Sequence, residues 1–121
     1  MIAIKRAYDP PAREDGERIL VDRLWPRGVT KERARLSSWA RELGPTAELR
    51  KWFAHDPARW EEFRRRYRKE LRAPENRVIL RDIGERSRRG VVTLVFGARD
   101  EARNNAVVLK EVVEEIAGKA G

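Results

Sequence analysis

The chain contains no cysteine, no glutamine and one histidine, and no apolar run approaches the roughly 18 residues needed to cross a bilayer. The missing cysteines exclude a disulfide framework, a thiolate zinc site and a cysteine nucleophile, and they suit a reducing cytosol. The single histidine, His55, rules out an ordinary serine-histidine-aspartate arrangement unless it is itself the base, and it argues against a histidine-rich metal site. Carboxylate and asparagine oxygens remain as groups that could hold magnesium beside a phosphate ligand. We expect no metal site and no cofactor. The N-terminal run Met1-Ile2-Ala3-Ile4-Lys5-Arg6 reaches charge within five residues, so a cytoplasmic protein without a targeting or membrane segment is expected.

Charge is what the chain has in excess. Lys and Arg number 28 against 20 Asp and Glu, a net charge of +8, and charged residues make up 40% of the chain against roughly 25% in an average domain. The balance places polyanions among the candidate partners. The preference for arginine and the scarcity of asparagine equally suit a heat-adapted or GC-rich source, in which ion-pair networks rise and labile residues fall. The 121 residues fit a single domain spanning 1–121.

Residues 2–7 alternate apolar with polar or small residues and read as a first strand, stopped by Tyr8-Asp9-Pro10-Pro11. Arg18-Ile19-Leu20-Val21-Asp22 reads as a second, buried strand, and Arg23-Leu24-Trp25-Pro26-Arg27-Gly28 as the loop after it. Thr30 is positioned to cap a helix carrying Leu36, Trp39, Ala40 and Leu43 at three- and four-residue spacing, closed by Gly44-Pro45. Thr46 caps a short helix with Leu49, Trp52 and Phe53. Asp56-Pro57 opens another, with Trp60, Phe63, Tyr67 and Leu71 in one core-facing stripe.

Pro74 starts a further helix that Gly90 ends. Val91-Val92-Thr93-Leu94-Val95-Phe96 has six strand formers without alternation, as expected of a central strand buried on both faces. Asp100 is expected to cap a last helix bearing Ala102, Ala106, Leu109, Val113 and Ile116, with a stop at Gly118. An apolar strand feeding an amphipathic helix is half of a βαβ unit. The expected fold is therefore α/β: a small, mainly parallel sheet of about three to four strands flanked by helices, a helix-rich, three-layer single domain.

Ligands of such sheets bind beyond the carboxyl ends of the strands. The second strand ends in Asp22-Arg23-Leu24-Trp25-Pro26-Arg27-Gly28, where Arg23 and Arg27 offer two guanidinium forks to an oxyanion and Trp25 a stacking face. Trp25 could equally plug the core, with the arginines paired to Asp22 and Glu17. The last strand ends in Gly97-Ala98-Arg99-Asp100, ahead of Arg103, Asn104 and Asn105, and a helix start there offers free amides and a positive dipole end. This is neither a dinucleotide-binding nor a Walker pattern, Asp100 is able to occupy those amides itself, and the asparagines could bond neighbouring backbone.

The expected ligand-binding set is Arg23, Trp25, Arg27, Arg99, Asp100, Asn104 and Asn105, for a small phosphorylated or carboxylated molecule. If any chemistry occurs, Asp22 or His55 is the acid/base candidate. The alternative is nucleic-acid binding or regulation through the basic face of Arg64 to Arg72, where Glu61 and Glu62 stand one turn before Arg65 and Arg66 and favour a solvated face instead.

The motifs together carry a resemblance. Asp22 to Gly28, Trp39 with Glu42-Leu43-Gly44-Pro45-Thr46, the stretch Leu49 to Trp60, then Phe63, Tyr67, Glu70 and Leu71, Val92 to Asp100, and Asn104-Asn105-Ala106 resemble the YeaO-like branch of the domain of unknown function 488 (DUF488) family nearly end to end. The resemblance implies a small α/β domain without an established activity. A sister branch carries a Cys-His-Arg triplet at the start of the final helix, and those positions are Asn104, Asn105 and Ala106 here. The presumptive nucleophile is absent from this chain.

Overall fold

The structure, a computed structural model, describes residues 1–120, with side chains through Gly118. Four strands, β1 (Ile2–Arg6), β2 (Glu17–Leu20), β3 (Ser38–Trp39) and β4 (Val92–Phe96), form one sheet in the order β1-β4-β2-β3, with every neighbouring pair parallel. The helices are α1 (Lys31–Ala34), α2 (Ala47–Phe53), α3 (Trp60–Glu70), α4 (Pro74–Arg89) and α5 (Asn105–Ala120). The α/β class and the parallel sheet follow the expectation. β4 is central and buried along its whole length, between β1 and β2. Its register pairs Ile4 and Ile19 with Leu94, and the ladders run on past the strand ends through Ala7 N–H to Phe96 O (2.7 Å) and Val21 N–H to Val95 O (3.0 Å).

Each sheet face has its own core. Ile2, Ile19, Val21, Val92, Leu94 and Phe96 pack against buried side chains of α2 through α5. The stripe expected of α3 lies there: Phe63 stacks on Phe53 at 4.3 Å between centroids, and Tyr67 stands 5.5 Å from Phe63. Full burial of one such aromatic side chain contributes about 1.5–3 kcal/mol relative to exposure. On the opposite face Ala7, Leu20 and Val95 meet Trp25, Leu36 and Trp39, with Trp25 and Trp39 edge to face at 5.5 Å. The segment around α1 is therefore the third layer. A buried ion pair fastens it, because Arg18 donates through Nη1 to Asp15 (2.6 Å) and through Nε to Ala34 O (3.0 Å).

The helix expected from Thr30 to Leu43 is not there. Thr30 does accept the Arg33 amide as a cap, but α1 ends at Ala34 and Arg35 turns to φ 46°. The chain then becomes β3, with Ser37 N–H bonded to Arg18 O (2.8 Å) and Ala40 N–H to Leu20 O (2.9 Å). The apolar residues at 36, 39, 40 and 43 mimic a helical stripe, yet they divide between the two cores. Leu36 and Trp39 lie on one side of the sheet, Ala40 and Leu43 on the other. Neighbours pointing to opposite faces are the mark of a strand.

The last helix also starts later than expected. Asp100 accepts the amides of Ala102 and Arg103, closing a turn, while Asn104 Oδ1 takes the Val107 amide (3.1 Å) and is the true cap of α5. Ala102 lies outside the helix, and Gly118 does not stop it, since α5 continues to Ala120.

One glycine is required by the approach of two loops. A Cβ on Gly44 would lie 2.6 Å from Arg23 N and 3.1 Å from Asp22 C, so the backbone after residues 41–43 packs directly on the end of β2. Substitution Gly44→Ala is expected to lower the unfolding free energy by about 1–3 kcal/mol, the usual cost of overpacking, as read from the urea midpoint at constant slope. An unchanged midpoint would contradict this close approach.

Candidate functional site

The carboxyl ends of β2 and β4 open on a cavity of ≈ 350 Å³, walled by the loop Asp22 to Pro26, Gly97 and Ala98 after β4, Asn104 and Asn105 at the start of α5, and Arg50, Lys51, Phe53 and His55 from α2 and its end. The two loops singled out in the sequence thus meet. Pro26 Cβ lies within 3.9 Å of where a Gly97 Cβ would stand.

Asp22 joins these elements. Its Oδ2 accepts the Gly97 amide (2.9 Å) and its Oδ1 accepts Asn105 Nδ2 (3.0 Å), while its main-chain carbonyl accepts Trp39 Nε1 (2.7 Å). Burial pushes the Asp22 carboxyl above its usual 3.8, against the pull of the Asn105 and Gly97 hydrogen bonds and of the positive field of Arg50 and His55. Asn105 Nδ2 also donates to Val21 O (3.0 Å). Behind it, Tyr67 is fully buried and donates to Leu43 O, and desolvation, reinforced by the charges of Asp22 and Glu70, raises its phenol well above the usual value.

The cations on the wall are not quite the expected ones. Arg23 lines the cavity and is aimed by an Nε bond to Gly44 O (2.9 Å). Arg27 and Arg99 are exposed and lie outside the wall: the loop carries Arg27 outward past Pro26, where its carbonyl accepts the Tyr8 hydroxyl (2.9 Å). Arg50 and Lys51 of α2 stand in their place. Arg50 Nε is buried without a hydrogen-bond partner in the protein, an arrangement that costs about 1–3 kcal/mol or more for a charged group. Among the described residues, Arg23, Arg50 and Lys51 form no ion pair.

Arg50 was legible in principle. It stands three residues before Phe53, so both share the helix face that Leu49 and Phe53 bury, but the strand-end rule directed attention to loops.

The remaining candidates serve structure as much as recognition. Trp25 does both: it packs in the second core, its Nε1 donates to Val29 O (2.5 Å), and one side of it lines the cavity. Asp100 is occupied by its own turn and by Arg103. Asn104 lines the cavity but spends both ends of its amide, Nδ2 on Asp100 O (2.9 Å) and Oδ1 on the Val107 amide. His55, at a left-handed φ of 56°, is exposed at the rim, its ring 6.1 Å from Phe53. The two acid/base candidates, Asp22 and His55, therefore line the same cavity. No group of three or more metal-ligating side chains occurs among the described residues.

These features define a small parallel α/β domain with a cationic cavity at its strand ends and an asparagine capping its last helix. The chain belongs to the DUF488 family: residues 1–120 match the family described as the inactive DUF488-N3 subclade. It is 40% identical over 111 residues to uncharacterized protein YeaO of Escherichia coli K12, covering 91% of this chain and 94% of that one. It is also 37% identical over 112 residues to uncharacterized protein Rv3073c of Mycobacterium tuberculosis H37Rv, covering 93% and 92%. No solved structure matches the chain. No helix among the described residues is long and apolar enough to cross a membrane.

Asp22 sets a pH dependence of unusual sign. Its native carboxyl holds a proton more tightly than in the unfolded chain, so its contribution to stability is largest below about pH 4 and is lost as pH rises through the native value, opposite to a salt-bridged aspartate. A carbon-detected NMR titration is expected to place the Asp22 midpoint above 3.8, and a midpoint at or below that value would refute the burial argument.

Proposed function

We propose that this domain is a cytoplasmic binding module for a small phosphorylated or carboxylated ligand, held in the cavity by Arg23, Arg50 and Lys51. The observation that carries the reading is that these three cations line one cavity at the strand ends and form no ion pair among the described residues. Arg23 and Arg50 offer guanidinium forks, and Lys51 an ammonium, to an oxyanion entering that space. Binding without turnover is favoured because the residue at the head of α5 is an asparagine committed to capping, and because the matching subclade is described as inactive.

Two charge-assisted hydrogen bonds contribute about 1.5–3 kcal/mol each before ordering costs, so inorganic phosphate alone is expected to bind near the millimolar range. Titration followed by amide NMR should shift Gly97, Asn105 and Arg50, and Arg50→Met should weaken the affinity by about tenfold. A chain showing no shift at about 50 mM phosphate, more than tenfold above a millimolar dissociation constant, would end this reading.

The nucleic-acid alternative fares worse on the α3 surface. Arg64 and Arg68 pair with Glu111 and Glu115 of α5, and Arg65 and Arg66 both bond Glu62, whose carboxyl they hold down to about 2. Duplex DNA binding is expected to vanish by about 150 mM salt in an anisotropy titration. Retained binding at that ionic strength would revive the alternative.

A further inference from the structure

We infer that the ligand is a phosphate monoester with a hydroxyl or similar hydrogen-bond donor close to the phosphate, the phosphate held by Arg23, Arg50 and Lys51 and the donor by the Asp22 carboxylate. This rests on the anion-binding reading above. The first argument is charge balance. Three cations line the cavity and form no ion pair among the described residues, against one carboxylate, Asp22, which leaves two positive charges to be matched. A carboxylate or a sulfate ester brings one negative charge, whereas a phosphate monoester, with its second pKa near 6, brings about two at neutral pH.

The second argument is the presence of Asp22 itself. An acid on the wall of an anion pocket repels a bare oxyanion, so its retention there demands a role toward the ligand or toward the fold. Its fold role uses one hydrogen bond on each oxygen, from Gly97 and Asn105. A carboxylate accepts at about four lone-pair sites, so acceptor capacity remains on a residue that lines the cavity. A ligand with a donor turns that capacity into a charge-assisted hydrogen bond. A ligand without one meets an uncompensated like charge. Discrimination of this kind is stronger than any available from shape alone, because the penalty falls on a partly desolvated charge.

The third argument is size. A volume of ≈ 350 Å³ lies at the small end of ligand sites, with Phe53, Leu24 and Trp25 providing apolar contact for a compact body next to the polar end.

The test compares three probes on the full chain by amide NMR at about pH 7.5, where the second phosphate proton is gone. These are glycerol 3-phosphate, propyl phosphate, which lacks the hydroxyls, and propyl sulfate, which also lacks the second charge. Glycerol 3-phosphate is expected to bind about tenfold tighter than propyl phosphate, and propyl phosphate tighter than propyl sulfate, all shifting Gly97 and Asn105. In Asp22→Asn the preference for the hydroxylated probe should collapse. Should that variant not fold, the ranking on the unaltered chain decides alone. Equal binding of the three probes at this cavity would overturn the inference and leave anion binding standing. No shift with any of them would overturn both.

Discussion

Asp22 is gripped from three directions at the end of β2. Its carboxylate takes the amide that follows β4 and the side chain that opens α5, and its carbonyl takes the indole N–H of Trp39 beside β3. Gly44 closes on the same backbone so tightly that no side chain fits between. A buried carboxylate is costly unless it is hydrogen-bonded, so each of these segments is held where it satisfies the acid. Loops at strand ends usually fray; here they share one anchor, and the cavity keeps its walls. Asn105 is held there a second time, by its bond to Val21 O.

The start of α5 shows how a scaffold can keep a pocket without a nucleophile at its head. Asn104 stands where the resembling sister branch carries cysteine, and a helix N-terminus is the setting that activates a thiolate. In this chain the same position closes the helix: its amide group bonds Asp100 O on one side and the Val107 amide on the other. The subclade description as inactive agrees with that substitution. The cavity beside it is lined by Arg50 and Lys51 of α2.

The positive charge of α3 and that of the cavity are disposed differently. On α3 the arginines are consumed by carboxylates, those of α5 included, so the stripe that looked like a phosphate track is instead a seam fastening two helices. At the cavity, Arg23, Arg50 and Lys51 form no ion pair among the described residues. Net charge counts both alike and says nothing of which cations are paired or where they stand.

The α/β class, the central apolar β4 and the aromatic stripe of α3 were all legible from local pattern, because burial on one or two faces writes itself into the spacing of apolar residues. Residues 35–43 were misleading for the same reason: Leu36, Trp39, Ala40 and Leu43 satisfy a helical period by coincidence, and the competing ladder partner, β2, lies about twenty residues away in the chain. The choice of Asn104 over Asp100 as cap likewise depended on where α5 docks. Sequence by itself determined the kind of fold and the strand ends whose loops border the cavity. Which arginines reach that site was decided only by the tertiary structure, since helix packing brings Arg50 and Lys51 beside Asp22 while the turn at Pro26 carries Arg27 away, and no local pattern encodes the distance between two elements that meet only when the core closes.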